Sequence, residues 1–175
     1  MYHRSVDCTI RLDRLAERPV ALSGPLPSDA EFWSVPGLRL RGDPVLDATA
    51  TASGDGGVHV TGSLRATVEL ECRRCLRSIE TTLPLPLDLW FEPRVEAGKE
   101  EEGVFGLEPV SNELDLRDAL REELLLAVPE FPLCRDDCRG LCPRCGANLN
   151  DSPCGCREER GDPRWMRLKE LMRQD

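Results

Sequence analysis

Apolar and polar residues alternate from Val58 to Cys72. Val58, Val60, Leu64, Ala66, Val68, Leu70 and Cys72 fall on one parity, and His59, Thr61, Ser63, Arg65, Thr67, Glu69 and Glu71 on the other. A period of two predicts a half-buried strand. Ser53-Gly54-Asp55-Gly56-Gly57 is a turn signal, so Val45 to Ala52 reads as the partner strand of a hairpin. Alternation resumes after Cys75, with Ile79, Thr81, Leu83, Leu85, Leu87, Leu89 and Phe91 on one parity. Pro84 and Pro86 lie on the other and remove two ladder donors, which predicts an edge strand. The segment Cys72 to Cys75 then sits at the tip between two antiparallel strands.

The period changes further along. Leu116, Ala119, Leu120, Leu124, Ala127 and Val128 recur at helical spacing, predicting a helix over Leu114 to Val128. Asp115 can cap it, Asp118 follows three residues on, and Pro129 ends it. Its leucines must pack on the sheet. Glu92 to Glu108, with the run Lys99-Glu100-Glu101-Glu102, reads as a mobile, solvated loop. Near the C-terminus, Asp162 and Pro163 open a short helix with Trp165, Leu168 and Met172 on one stripe. Tyr2 to Arg41 carries no clear pattern. Gly24-Pro25-Leu26-Pro27 marks a loop there, and Thr9 to Ala16 fits strand or helix. These elements predict an α+β fold: an antiparallel β-sheet or small barrel with a packed helix. A zinc-ribbon-like module and a short terminal helix follow. The predicted division is a core over 1–133, a cysteine-rich module over 134–160 and the helix over 161–175.

The cysteines change the picture most. Eight of the nine form close pairs: Cys72 with Cys75, Cys134 with Cys138, Cys142 with Cys145, and Cys154 with Cys156. Four thiolates make one closed tetrahedral zinc site, so the count predicts two structural Zn2+ ions. A closed site holds a shape and leaves no open position for chemistry. In Cys142-Pro143-Arg144-Cys145-Gly146 the proline stiffens the turn, and the glycine lets backbone N–H groups point at the sulfurs. Cys154 and Cys156 can close a site with this pair, after a loop containing Asn148, Leu149, Asn150 and Asp151. A second site of Cys72, Cys75, Cys134 and Cys138 would staple the tail to the sheet. Alternatively Cys134 and Cys138 join Cys142 and Cys145, leaving the other two pairs to meet or stay free.

Two other functional classes compete. A thiol–disulfide redox protein would use Cys72-Arg73-Arg74-Cys75, but such motifs sit at helix N-termini, and no helical pattern follows here. A zinc-dependent transcription regulator would need a recognition helix and a basic surface. The net charge is −9, against bulk coating of nucleic acid. Residues 1–133 hold 14 Lys+Arg against 24 Asp+Glu and residues 134–175 hold 9 against 8, so an acidic body carries a near-neutral, arginine-containing tail. There is no phosphate loop, nucleophile elbow or HExxH motif. No stretch is long and apolar enough for a membrane span, and Met1 to Asp7 lacks a signal-peptide core. Clustered cysteines in a cytoplasmic protein read as metal ligands. Cys8, His3 and His59 stand apart from the pairs, and Trp33, Trp90 and Trp165 read as packing residues.

Several segments together resemble one family. They are Leu70-Glu71-Cys72-Arg73-Arg74-Cys75-Leu76, Glu113 to Leu116, Glu122-Glu123 and Leu126 to Pro129. Pro132-Leu133-Cys134, Cys138 to Asn150, Cys154-Gly155-Cys156 and Asp162-Pro163-Arg164-Trp165 complete the set. The chain is similar over most of 45–172 to the YceD-like family, also called large ribosomal RNA subunit accumulation protein. The resemblance implies a cytoplasmic bacterial protein needed for normal levels of large-subunit ribosomal RNA, with no established enzymatic activity. Some members lack the C-terminal knuckle block but keep the central CxxC, which fits two sites divided as above. The function expected is a non-enzymatic assembly factor for the large subunit. It would bind precursor rRNA, a ribosomal protein, or both. Candidate contacts are Arg73, Arg74 and Arg77 at the hairpin tip and Arg135, Arg139, Arg144 and Arg164 around the module. The acidic body would suit a basic ribosomal protein.

Overall fold

The structure, a computed structural model, describes residues 6–54, 56–93, 103–107 and 111–156. Strand β1 (Thr9–Arg11) runs into helix α1 (Leu12–Glu17) and then β2 (Val20–Pro25). A 3-10 turn (Glu31–Trp33), β3 (Arg39–Leu40), β4 (Val45–Ala52), β5 (Val58–Glu71) and β6 (Ser78–Glu92) follow. The chain continues through β7 (Val104–Gly106), β8 (Glu113–Asp115) and α2 (Arg117–Ala127). The main sheet is open, in the order β2-β4-β5-β6-β7, with β3 pairing β5 off that path; β1 and β8 form a separate two-stranded ribbon. The fold is α+β, and its sheet is not closed into a barrel.

The parity of β5 is the parity of the core. Val58, Val60, Leu64, Ala66, Val68 and Leu70 are all buried, and Leu46, Ala48 and Ala50 of β4 join them from the neighbouring strand. Along β6 the same face presents buried Leu85, Leu87, Leu89 and Phe91. The edge prediction holds for only part of β6, because β7 pairs with its last residues, Trp90 to Glu92. From Ser78 to Asp88 the outer side of β6 has no strand partner among the described residues. The Trp90 N–H points outward to the Gly103 carbonyl at 2.7 Å. Pro84 and Pro86 share the parity of Trp90, so their missing donors face the same unpaired edge.

Helix α2 covers the sheet with Ala119, Leu120 and Leu124 and packs against β6 and the 3-10 turn. It starts later than the periodicity predicts, at Arg117 rather than Leu114. Leu114 is claimed by β8, where it pairs with Ile10 of β1. The N-cap position falls to Leu116, which has no polar side chain to cap with, so Asp115 is not the cap; from one residue earlier its Oδ1 accepts the Arg117 backbone N–H at 3.0 Å. The span Thr9 to Ala16 proves to be strand followed by helix. Val20 to Pro25, which carries no clear alternation, is a full partner of β4.

The expected mobile loop over 92–108 needs correction where it is described. Val104–Gly106 pairs parallel to the end of β6, and Phe105 stacks on Phe91 with ring centroids 5.3 Å apart. Three residues are too few for a period of two to announce. The charged run 99–102, the predicted terminal helix from Asp162, and the residues His3, Arg164 and Trp165 lie outside the described residues. Among the described residues, no helix is long and apolar enough to cross a membrane.

Candidate metal centres

The hairpin register places Glu71 opposite Ser78, so residues 72–77 form the tip between β5 and β6. The Cys72 N–H donates to the Arg77 carbonyl at 2.9 Å, and the Leu76 N–H donates to the Cys72 carbonyl at 2.9 Å. The same two bonds recur in the tail. The Cys142 N–H donates to the Ala147 carbonyl at 2.8 Å, and the Gly146 N–H to the Cys142 carbonyl at 2.9 Å. The turn needs a left-handed residue after its second cysteine. Gly146 takes that place with φ +71°, and Leu76 takes it with φ +59° despite its side chain. The two CxxC segments are therefore one construction used twice.

Each knuckle gathers a second pair. The sulfurs of Cys72, Cys75, Cys134 and Cys138 lie within 4.8 Å of one another, and so do those of Cys142, Cys145, Cys154 and Cys156. This is the pairing in which the tail staples to the sheet, and the alternative with Cys134 and Cys138 beside Cys142 and Cys145 does not form. In the first cluster Cys72 Sγ is 3.8 Å from Cys138 Sγ, and Cys75 Sγ is 3.6 Å from Cys134 Sγ. A tetrahedron of thiolates around zinc at ~2.3 Å has edges of ~3.8 Å. A disulfide would require ~2.05 Å. The donor set and its spacing therefore fit a tetrahedral ion such as zinc, and either cluster can hold one metal ion.

The first cluster is enclosed. Cys72, Cys75 and Cys138 are buried, with Leu133 and Leu141 packed against them. The second is more open, with Cys142 buried but Cys145 and Cys156 exposed. Backbone donors tune the sulfurs. Burial pushes the Cys72 thiol up, but the N–H groups of Cys134, Cys75 and Arg74 outweigh it and hold the thiol at about 6. The N–H groups of Cys145 and Arg144 hold Cys142 at about 6 as well. Others move the opposite way. Burial and the sulfurs of Cys138, Cys75 and Cys72 push Cys134 up to about 12. The sulfur of Cys145, with burial second, does the same to Cys156. Each cluster thus holds a ready thiolate beside a thiol that keeps its proton until a cation displaces it.

The arginines named as contacts all surround the clusters, Arg164 aside, and all are exposed. Most also hold the module together. Arg73 Nε donates to the Glu130 carbonyl at 3.2 Å, and Arg74 Nη1 to the Cys138 carbonyl at 3.0 Å. Arg77 Nη2 pairs with Asp151 Oδ1 at 3.0 Å. Arg135 reaches Asn150 Oδ1 at 2.9 Å and Asp137 Oδ1 at 3.3 Å. The backbone N–H of Arg139 donates to Asn150 Oδ1 at 2.8 Å. Asn150 is the residue that sequence reasoning missed: its Nδ2 donates to Cys138 Sγ at 3.3 Å. It sits among the loop residues of the other cluster, and nothing in its spacing points to Cys138. Away from the clusters, Cys8 is buried in the main core. Trp33 is buried too, whereas Trp90 is 40% exposed and stacks on His59 at 3.8 Å.

Comparison with known proteins adds the biological context. The profile of the family described as "Large ribosomal RNA subunit accumulation protein YceD" matches residues 60–172. An uncharacterized protein of Mycobacterium tuberculosis is 38% identical over 119 residues, covering 66% of this chain and 56% of that protein. The chain thus spans little more than half the length of that relative. An uncharacterized protein of Mycobacterium leprae is 31% identical over 171 residues, 92% of this chain and 76% of that protein. The "Large ribosomal RNA subunit accumulation protein YCED homolog 1, chloroplastic" of Arabidopsis thaliana is 33% identical over 66 residues, 38% of this chain and 21% of that protein. No solved structure matches the chain.

Proposed function

The chain belongs to the YceD family of large ribosomal RNA subunit accumulation proteins, and from that premise we propose that it is a non-enzymatic, zinc-braced factor in large-subunit biogenesis. It acts in the cytoplasm to sustain 23S rRNA, binding precursor rRNA, a basic ribosomal protein, or both. The observation that carries this reading is the pair of four-cysteine clusters. Zinc held by four thiolates has no vacant position for substrate or water, so it serves as a brace. The sheet and α2 over 1–133 form the body, residues 134–160 the braced module, and 161–175 the terminal helix.

The rival readings lose their support. In a thiol oxidoreductase the CxxC sulfur sits at a helix N-terminus, whereas Cys75 leads into β6 and its sulfur is shared with Cys134. A duplex-DNA reader presents a recognition helix. Among the described residues α2 is the one helix longer than two turns, and its Leu120 and Leu124 are fully buried in the core.

For RNA, the exposed Arg73, Arg74, Arg77, Arg135, Arg139 and Arg144 ring the metal module, with Arg164 further on, and would meet phosphates there. Carbonyl and carboxylate partners fix several of these guanidinium groups, each of which carries five N–H donors in all. The test is depletion of the protein in its own cell, followed by the ratio of large- to small-subunit rRNA. The ratio should fall and be restored by the wild-type chain. It should not be restored by Cys72→Ser with Cys142→Ser. Crosslinking to precursor rRNA should drop in Arg73→Glu with Arg139→Glu, with metal content retained. An unchanged rRNA ratio after depletion overturns the reading.

A further inference from the structure

The loop closed by the second cluster reaches across to the first. Asn150 lies between Cys145 and Cys154, yet its Nδ2 donates to Cys138 Sγ at 3.3 Å. Its Oδ1 accepts the Arg139 backbone N–H at 2.8 Å and Arg135 Nη2 at 2.9 Å. Both of those groups can only donate, so the amide oxygen must face them and the amide NH2 must face the sulfur. Asn148 Oδ1 fixes the arrangement from behind, accepting the Asn150 backbone N–H at 3.0 Å and Nδ2 at 2.8 Å. Three more ties join the same surfaces. The Leu141 N–H donates to the Arg74 carbonyl at 3.1 Å, and the Leu149 N–H to the Gly140 carbonyl at 2.9 Å. Arg77 pairs with Asp151 at 3.0 Å.

We propose that the two metal centres are thermodynamically coupled through Asn150. Metal at Cys142, Cys145, Cys154 and Cys156 pins both ends of the loop that delivers Asn150 to Cys138. The amide then stabilises the Cys138 thiolate and holds the backbone at Arg139, so the first cluster binds its metal more tightly. Linkage makes the effect mutual: metal in the first cluster favours closure of the second. Asn150 is a positioning residue, since it touches a ligand rather than the ion. Outer partners of metal ligands are typically worth ~10- to 100-fold in affinity. The inference rests on the reading that both clusters hold metal.

The experiment loads the full-length protein with 113Cd2+, which gives each thiolate cluster its own NMR resonance. Cys72→Ser assigns the first cluster by its loss. A competing chelator is then titrated and the occupancy of the first cluster followed. Both Asn150→Ala and the pair Cys154→Ser, Cys156→Ser should weaken the first cluster by ~10- to 100-fold. Adding Asn150→Ala to the cysteine pair should weaken it no further. Asn150→Asp keeps the acceptor for Arg139 and Arg135 but loses the donor to sulfur, so it should weaken the first cluster with the loop still in place. Three results overturn the coupling: a first-cluster affinity within about twofold of wild type in the cysteine pair, the same in Asn150→Ala, or losses from the two that multiply. If both clusters bind cadmium but stay independent, the coupling alone fails. If neither binds, the reading beneath it fails as well.

Discussion

Gly140→Ala tests the joint between the two knuckles. Gly140 has φ +73°, and a Cβ there would lie 2.9 Å from the Arg74 carbonyl oxygen and 3.4 Å from Arg74 Cβ. That carbonyl sits between the two ligands of the hairpin tip and already accepts the Leu141 N–H. The left-handed conformation costs a non-glycine residue about 1–2 kcal/mol. Overpacking against backbone that cannot rotate away adds about 1–3 kcal/mol, so the two effects together reach about 2–5 kcal/mol. Gly146→Ala separates them. Gly146 has φ +71°, but nothing lies within 4 Å of its would-be Cβ. It should therefore lose only the conformational part, about 1–2 kcal/mol. Urea unfolding of the metal-saturated proteins reads the difference. Chelator competition reads the knuckle itself, where a loss of 2 kcal/mol is about 30-fold in affinity. A Gly140→Ala protein no less stable than Gly146→Ala would refute the reasoning, since the contact with Arg74 would then cost nothing.

Other outcomes follow from the same structure. With metal bound, a thiol reagent at neutral pH should find almost no reactive cysteine. Eight should appear on chelation, because the knuckles lose their order without metal, while Cys8, buried in the main core, should stay slow. Fast labelling of Cys8 in the folded protein would contradict its placement. Metal affinity of the first cluster should rise with pH. Burial and neighbouring sulfurs keep the proton on Cys134, at about 12, and Cys75 is also raised, so both must lose protons when the ion enters. At least two protons released give about a hundredfold or more per pH unit between roughly pH 7 and 9, measured by chelator competition. Below about 6 the Cys72 proton adds to the dependence. A flat profile would show that the thiols are already ionised. In the core, Leu120→Ala should cost about 2–5 kcal/mol in urea unfolding, because Leu120 is fully buried between α2 and the sheet.

The parts of the fold that the residues announced are those with long, unbroken periods. Val58 to Cys72 carries enough alternating positions to fix strand and buried face together, and Pro84 with Pro86 marks the free edge. Short elements are silent for a physical reason. β1, β7 and β8 have three residues each, and their pairing is decided by partners distant in the chain. Leu114 shows the conflict directly, with a helical period on one side and Ile10 waiting on the other. The cysteine pairs marked candidate ligands by local spacing, but which pairs meet depended on α2 returning the chain to the hairpin tip. Leu76 in a left-handed turn and Asn150 against Cys138 carry no local signal. One is a conformation imposed by the knuckle, and the other a contact between loops closed by different clusters. The arginines were legible as a cluster but not as ties. The fold is what lets Arg74 tie the hairpin tip to the Cys138 carbonyl and Arg77 tie it to Asp151 in the loop of the second cluster.

In the proposed function, two thiolate sites, each closed by a metal ion, brace one fold. The most direct measurement is native mass spectrometry of the full-length chain purified without chelator, with circular dichroism before and after metal removal. Two zinc ions per chain, and loss of ordered structure around the knuckles when they are stripped, is the result predicted. A metal-free chain with the same native spectrum and the same unfolding midpoint would contradict it.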